Sequence, residues 1–285
     1  MEDLEHKFLE EIRNLKSKKD FLKLSSDIGQ EFQDMVQGTY GNDIVEVGIS
    51  MFGYIKDLFN TNIKSGMDAY KIIISGYPNI PHTDLFAPYF DSILTRQLWV
   101  KSSEDMRTGD RKTQSLIVNT FFRWYASTYE LYRKMLIFNC YCQGISTGYP
   151  VNINNYLFKT KDPAKSLQGN SKRANILKHY NASIRHAISH GNIIIIPGSF
   201  VVIRMSNKDK TKIVEKIYDT PDEFIDDVTP DIEIMFNSVR FFFFIMTNYF
   251  YLKYKEAFGK YIDNIFNDRV LIEMVKCVKE NPFNV

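Results

Sequence analysis

Apolar residues recur every three or four positions along nearly the whole chain, and a single stretch breaks that rhythm. Leu4, Phe8, Ile12 and Leu15 open a stripe that Phe21, Leu24, Ile28, Phe32 and Met35 continue, which predicts a helix over 3–37. Gly38 and Gly41 stop it. The same spacing predicts helices over 43–59, from about Asp84 to Val100, from about Gln114 to Cys142, and from about Arg173 to His190. The segments 75–84 and 144–172 are rich in Gly, Pro and Asn and are expected to be loops.

The exception is "NIIIIPGSFVVIRMSNKDKTKIVEKIYDT" (192–220), dense in β-branched residues. A Pro-Gly turn at 197–198 and a polar turn near 206–209 divide it into a small β-ribbon of two or three strands. Two Thr-Pro pairs follow, at 220–221 and 229–230, each with acidic residues after it. That is the signature of an N-cap with proline in the first helical position, and it predicts a short helix at 220–228 and a long one from 229 to about 256. A last helix is expected over 258–280. The fold class is therefore mainly α: a helical bundle with a small β-ribbon insertion and an extra N-terminal helical region. The polar stretch 101–113 is where that region, 1–100, would part from a helical domain over 101–285, and it is short enough that one continuous domain is the equal alternative.

Composition narrows the partners. Of 285 residues, 44% are hydrophobic and 25% charged, and the net charge of +2 provides no global field for a polyanion. The three cysteines, Cys140, Cys142 and Cys277, are an odd number without the C-x-x-C spacing. They are expected to be packing residues in a reducing, cytoplasmic setting. The charged stretch 1–20 is not expected to act as a secretory leader. The most apolar run, "FFFFIMTNYFYL" (241–252), is too short for a membrane span, so no membrane partner is expected.

The residues with chemistry to offer sit in "SIRHAISHGN" (183–192), which holds two of the five histidines. On a continuous helix with Arg185 at zero, Ser189 falls at about 40°, His186 at about 100°, His179 at about 120° and His190 at about 140°. Ile176, Leu177, Ile184, Ala187 and Ile188 fill the opposite arc. His190 ends the predicted helix, with Gly191 in the position after it that favours left-handed backbone. A last-turn histidine beside an arginine suits metal-free RNA cleavage: one group takes the 2′-hydroxyl proton, another protonates the leaving 5′-oxygen, and a cation steadies the phosphorane. Two other readings stay open. A last-turn histidine is commonly only a cap, and His186 with His190 has the i, i+4 spacing of a helical zinc pair, although no acidic residue lies between 173 and 190 to complete it.

"IRHAISHGN" (184–192) also resembles the signature of the HEPN superfamily of helical domains: an arginine, a polar residue after it, and a histidine four to six positions on. Arg185, His186 and His190 fit, with His186 where asparagine is frequent. The layout from about 110 to 260, a long helix, the motif helix, a ribbon and another long helix, is similar as well. The resemblance implies a metal-independent endoribonuclease without a cofactor, acting on RNA, tRNA included. It implies a homodimer whose two motif helices face each other and share the catalytic work of Arg185, His190 and His186. Products would carry 2′,3′-cyclic phosphate. The implied role is that of a toxin or an antiphage, abortive-infection effector, with an antitoxin or regulatory partner. The alternative within the family is a non-catalytic dimerisation or nucleotide-binding module. Lys172, Arg173, Lys178, His179, Ser189 and Asn192 are the candidate RNA contacts, with Lys208, Lys210 and Lys212 on the ribbon. Residues 1–100 are expected to act as a sensor or restraint.

Overall fold

The computed structural model describes residues 37–104, 111–158, 161–168, 171–189, 193–196, 200–206 and 213–253. The helices expected over 3–37 and 258–280 lie outside them.

Helix α1 (Gly41–Thr61) buries Ile44, Val47, Met51, Ile55 and Leu58, one stripe at helical spacing. Asn62 then takes extended backbone and serves two helices. Its N–H donates to the Leu58 carbonyl at 2.9 Å, and its side chain accepts from the N–H groups of Lys64 and Ser65. A single asparagine thus caps the end of α1 and the start of α2 (Ile63–Ser75), a helix that the sequence pattern alone does not announce. Gly76, at φ 78°, ends α2. A side chain there would meet the Thr83 hydroxyl at 2.6 Å.

Helix α3 (Phe86–Glu104) begins where Asp84 accepts from the Ala87 N–H at 2.7 Å. It packs along α4 (Arg111–Ser146), a helix of 36 residues. Ser92 bonds Thr128, Thr95 bonds Ser127, and Trp99 stacks on Trp124, so positions fall along α4 as they rise along α3 and the two run antiparallel. The expected loop over 144–172 contains two short helices, α5 (Asn154–Leu157) and α6 (Pro163–Leu167), the second capped by Asp162.

The next elements are a 3₁₀ helix (Ser171–Leu177), helix α7 (Ala182–Ser189), and strands β1 (Ile193–Ile196), β2 (Phe200–Ser206) and β3 (Ile213–Tyr218). The strands form one antiparallel sheet in sequence order, with Ile195 opposite Val201 and Val202 opposite Ile217. The β-ribbon expected from the β-branched stretch is this sheet.

Two expectations need correction. The helices predicted at 220–228 and 229–256 are one helix, α8 (Pro221–Lys253), with Pro230 inside it. Only the first Thr-Pro pair starts a helix. Thr220 accepts from the Glu223 N–H at 3.1 Å, and the Glu223 carboxylate accepts from the Asp219 N–H at 2.8 Å. Thr229 instead turns its hydroxyl back to the Ile225 carbonyl at 2.6 Å, as a hydroxyl does inside a helix. Packing overrides the local signal: Phe224, Val228, Ile232, Met235 and Phe236 are buried on both sides of the proline.

The single helix predicted from Arg173 to His190 is also broken. Tyr132 donates to the Ile176 carbonyl at 2.7 Å and Tyr125 to the Asn181 carbonyl at 3.2 Å. Between them the Lys178 and Tyr180 N–H groups close tight i to i+3 turns on Asn175 and Leu177. Two hydroxyls from α4 therefore hold the kink between the 3₁₀ helix and α7.

Two apolar clusters hold these elements. The larger draws on α1, α2, α3, the C-terminal half of α4, Ile176 and the second half of α8. This cluster contains residues from both sides of residue 100. The smaller joins the start of α4 (Val118, Phe121, Trp124, Tyr125), α7 (Ile184, Ala187), Tyr218 and the start of α8. None of the described helices is long and apolar enough to cross a membrane.

Candidate functional site

Helix α7 is positioned by its apolar back. Ile184 and Ala187 are buried against Tyr125 and Tyr129 of α4 and the first turns of α8, and Ile188 packs on the same cluster. Arg185 is left half-buried on the edge of that contact. Its guanidinium carbon stands 5.9 Å from the Tyr129 ring centroid. An arginine so placed is limited in the rotamers it can visit while its five N–H donors stay available to an oxyanion.

Tyr129 is itself part of an aromatic column. It stacks on Tyr180 with centroids 4.7 Å apart and 18° between planes, and on Tyr125 at 6.3 Å. Tyr132 extends the column beyond Tyr180 at 6.2 Å. Burial pushes the Tyr125, Tyr129 and Tyr132 phenols above their ordinary range, so all three stay neutral hydrogen-bonding groups at physiological pH. Tyr125, Tyr129 and Tyr132 recur at i, i+4 and i+7 of α4, the signal from which the column could have been found in the sequence.

The remaining candidates divide sharply. His186 and Ser189 lie on α7, and Lys172 on the 3₁₀ helix, but their side chains are outside the described atoms. His190, Asn192 and the ribbon lysines Lys208, Lys210 and Lys212 lie outside the described residues. His179 does not join the stripe of Arg185 and His186, because the kink at 178–181 takes it out of register. It is buried, and its Nδ1 is 2.8 Å from Asp231 Oδ1. An ionised carboxylate only accepts, so Nδ1 carries the hydrogen. Nε2 is buried without a hydrogen-bond partner, 3.9 Å from Asp43 Oδ1. His179 therefore ties the kink to α8 and is closed to a ligand in this arrangement.

Arg173 and Lys178 are engaged as well. Arg173 places Nη2 at 2.6 Å from Asp57 and its guanidinium 4.4 Å from the centroid of the Tyr54 ring, both on α1. Lys178 donates to Asp43 at 2.6 Å. That hydrogen bond holds the Asp43 carboxyl below, and the Lys178 ammonium above, its ordinary value. Asp43, Asp57 and Asp231 are partners that sequence reasoning missed. Asp231 in particular reads as a first-turn acid of a new helix, whereas it stands mid-helix and binds His179.

Cys140 and Cys142 are buried, as expected of packing residues. Burial pushes the Cys140 thiol up to about 12, which removes it as a nucleophile. Among the described residues no group of three His, Cys, Asp or Glu side chains could hold a metal ion. No family model, curated protein or solved structure matches the chain.

Proposed function

We propose that the chain is a HEPN-like, metal-independent endoribonuclease that works as a homodimer. The observation that carries the reading is Arg185. It is the charged residue of the motif, it sits on a short helix anchored by its apolar back, and it is held over the Tyr129 ring at the edge of the core. A cation fixed in this way is suited to a phosphate in the course of transfer. His190 follows α7 directly in the chain and supplies the acid or base, with His186 beside Arg185 as a second titrating group. Ser189 and Asn192 flank them as RNA contacts.

One Arg185–His190 pair offers one proton-transfer group, whereas in-line attack by a 2′-hydroxyl needs a base and an acid. Two copies of α7 across a two-fold axis provide both, with two arginines for the phosphorane. The toxin or antiphage role, and an antitoxin or regulatory partner, belong to this proposal through the family resemblance.

The test is incubation with total cellular RNA in excess EDTA, alongside Arg185→Ala and His190→Ala, with the cut ends mapped. Cleavage by the unaltered protein alone, leaving 2′,3′-cyclic phosphate, is the expected result. Cleavage that persists in both variants would overturn the assignment, and cleavage abolished by EDTA would move it to a metal-dependent hydrolase. The second reading, a non-catalytic dimerisation module, is favoured by the engagement of Arg173 and Lys178 with carboxylates of α1. It predicts no cleavage and a dimer that weakens when α7 is altered.

A further inference from the structure

The segment that leads into α7 is seated on α1 by an antiparallel series of polar contacts. Arg173 meets Asp57, Asn175 donates to Glu46 at 3.2 Å, and Lys178 meets Asp43. The arginine has a place built for it. Gly53 leaves the space, since a Cβ there would come within 2.7 Å of Arg173 Nε, and Tyr54 gives the guanidinium a flat surface. Each pair nevertheless has one partner that faces water: the Asp57 side chain is 52% exposed and that of Lys178 57%, against 18% for Arg173 and 35% for Asp43. Ion pairs this open to solvent contribute little to stability, and a competing anion can exchange for one of the partners.

We infer that α1 is a built-in electrostatic latch: its carboxylates Asp43 and Asp57 occupy Lys178 and Arg173 in place of RNA phosphates, and RNA reaches these cations by displacing α1's carboxylates. The two cations lie on the segment that leads into the motif helix, with Lys178 at the kink itself, so the latch restrains RNA contacts made by that segment. This inference rests on the RNA reading of the site. It gives residues of the N-terminal half a restraining role that needs no separate domain movement, because α1 stays anchored in the core by Val47, Met51, Ile55 and Leu58.

Two variants open the latch by different means. Gly53→Leu keeps every charge and replaces a poor helix former with a good one, but puts a side chain where the guanidinium sits. Asp43→Asn with Asp57→Asn removes the competing carboxylates. Asp68→Asn with Asp226→Asn makes the same change of net charge at exposed acids elsewhere. Each is first checked for folding by circular dichroism. Binding of a short fluorescent single-stranded RNA is then followed by anisotropy as salt is raised, in a His190→Ala background that prevents cleavage.

Each cation released to a phosphate steepens the dependence of log K on log salt by about 0.7. With affinities converging near 1 M salt, one released cation tightens binding roughly eightfold at about 50 mM and roughly threefold at about 200 mM. Gly53→Leu is expected to gain one such step and the Asp43/Asp57 variant two, with the Asp68/Asp226 control gaining neither. Removing the cations with Arg173→Gln and Lys178→Gln should cancel both gains. An unchanged slope in both latch variants overturns the inference, and so does an equal gain in the control. The cleavage assay separates this from the parent reading: steeper binding without cleavage, even by the latch-open variants with His190 intact, keeps the latch and removes the ribonuclease.

Discussion

Arg96 on α3 and Glu233 on α8 form a pair between the N-terminal region and the helical domain, and its loss should be expensive. Arg96 places Nε at 3.2 Å and Nη2 at 2.9 Å from the same carboxylate oxygen of Glu233. The two side chains are only 5% and 13% exposed. The other Glu233 oxygen accepts from Asn237 at 2.9 Å, and the guanidinium lies against the rings of Trp124 and Phe236. Arg96→Met keeps the apolar stem but leaves a buried carboxylate whose remaining described hydrogen bond comes from one amide. Breaking a buried pair in this way costs about 3–5 kcal/mol, and the lost ring contacts add up to about 1 kcal/mol. For a chain of this size that lowers Tm by roughly 10 °C. Replacing both partners, Arg96→Met with Glu233→Met, removes the stranded charge and should recover most of the loss. Urea unfolding followed by far-UV circular dichroism measures all four corners of the cycle. A single variant costing less than about 1 kcal/mol would refute the reasoning, as would a double variant no more stable than the single. Because the pair crosses the 100/101 boundary, both variants should unfold in one transition. A truncation starting near Arg111 should fail to fold rather than yield a freed domain.

Two further outcomes follow from the site. Tyr129→Leu should reduce RNA cleavage by about two- to thirtyfold, the range that a cation–π contact of about 0.5–2 kcal/mol permits, while Tyr129→Phe should retain it. Equal loss in both variants would show that the ring does not position Arg185. Asp43 should titrate below the ordinary carboxylate value of about 3.9, and in Lys178→Ala its midpoint should rise toward that value, as read from side-chain carboxyl NMR shifts. The sign is that of a lowered acid: the tie contributes fully above the ordinary range and is lost as pH falls through the lowered midpoint. A midpoint that does not move in Lys178→Ala would remove Lys178 as its cause.

Much of the architecture was legible in residue order because period and punctuation are local properties. The stripe of α1, the long aromatic α4, the antiparallel sheet and the Thr220-Pro221 start depend on neighbours within a few positions, and they stand where the pattern puts them. The Thr229-Pro230 signal failed for a reason outside that range. It equals the first in local chemistry, yet the apolar residues on both sides of it belong to one buried face, and continuous packing outweighs one lost backbone hydrogen bond. The motif helix shows the same division. Sequence placed Arg185, His186 and Ser189 on a helix with an apolar back, but ran that helix from about Arg173 to His190. It could not foresee that hydroxyls of Tyr125 and Tyr132, some fifty residues earlier in the chain, would take two carbonyls and kink the backbone at 178–181. That kink carries His179 out of the stripe to Asp231, and the seat over Gly53 turns Arg173 from a free cation into a bound one. Periodicity thus determined by itself which elements form and which residues the motif helix carries. Which charges are free to act was decided only by the tertiary structure, because a partner distant in sequence is brought into reach only by the fold.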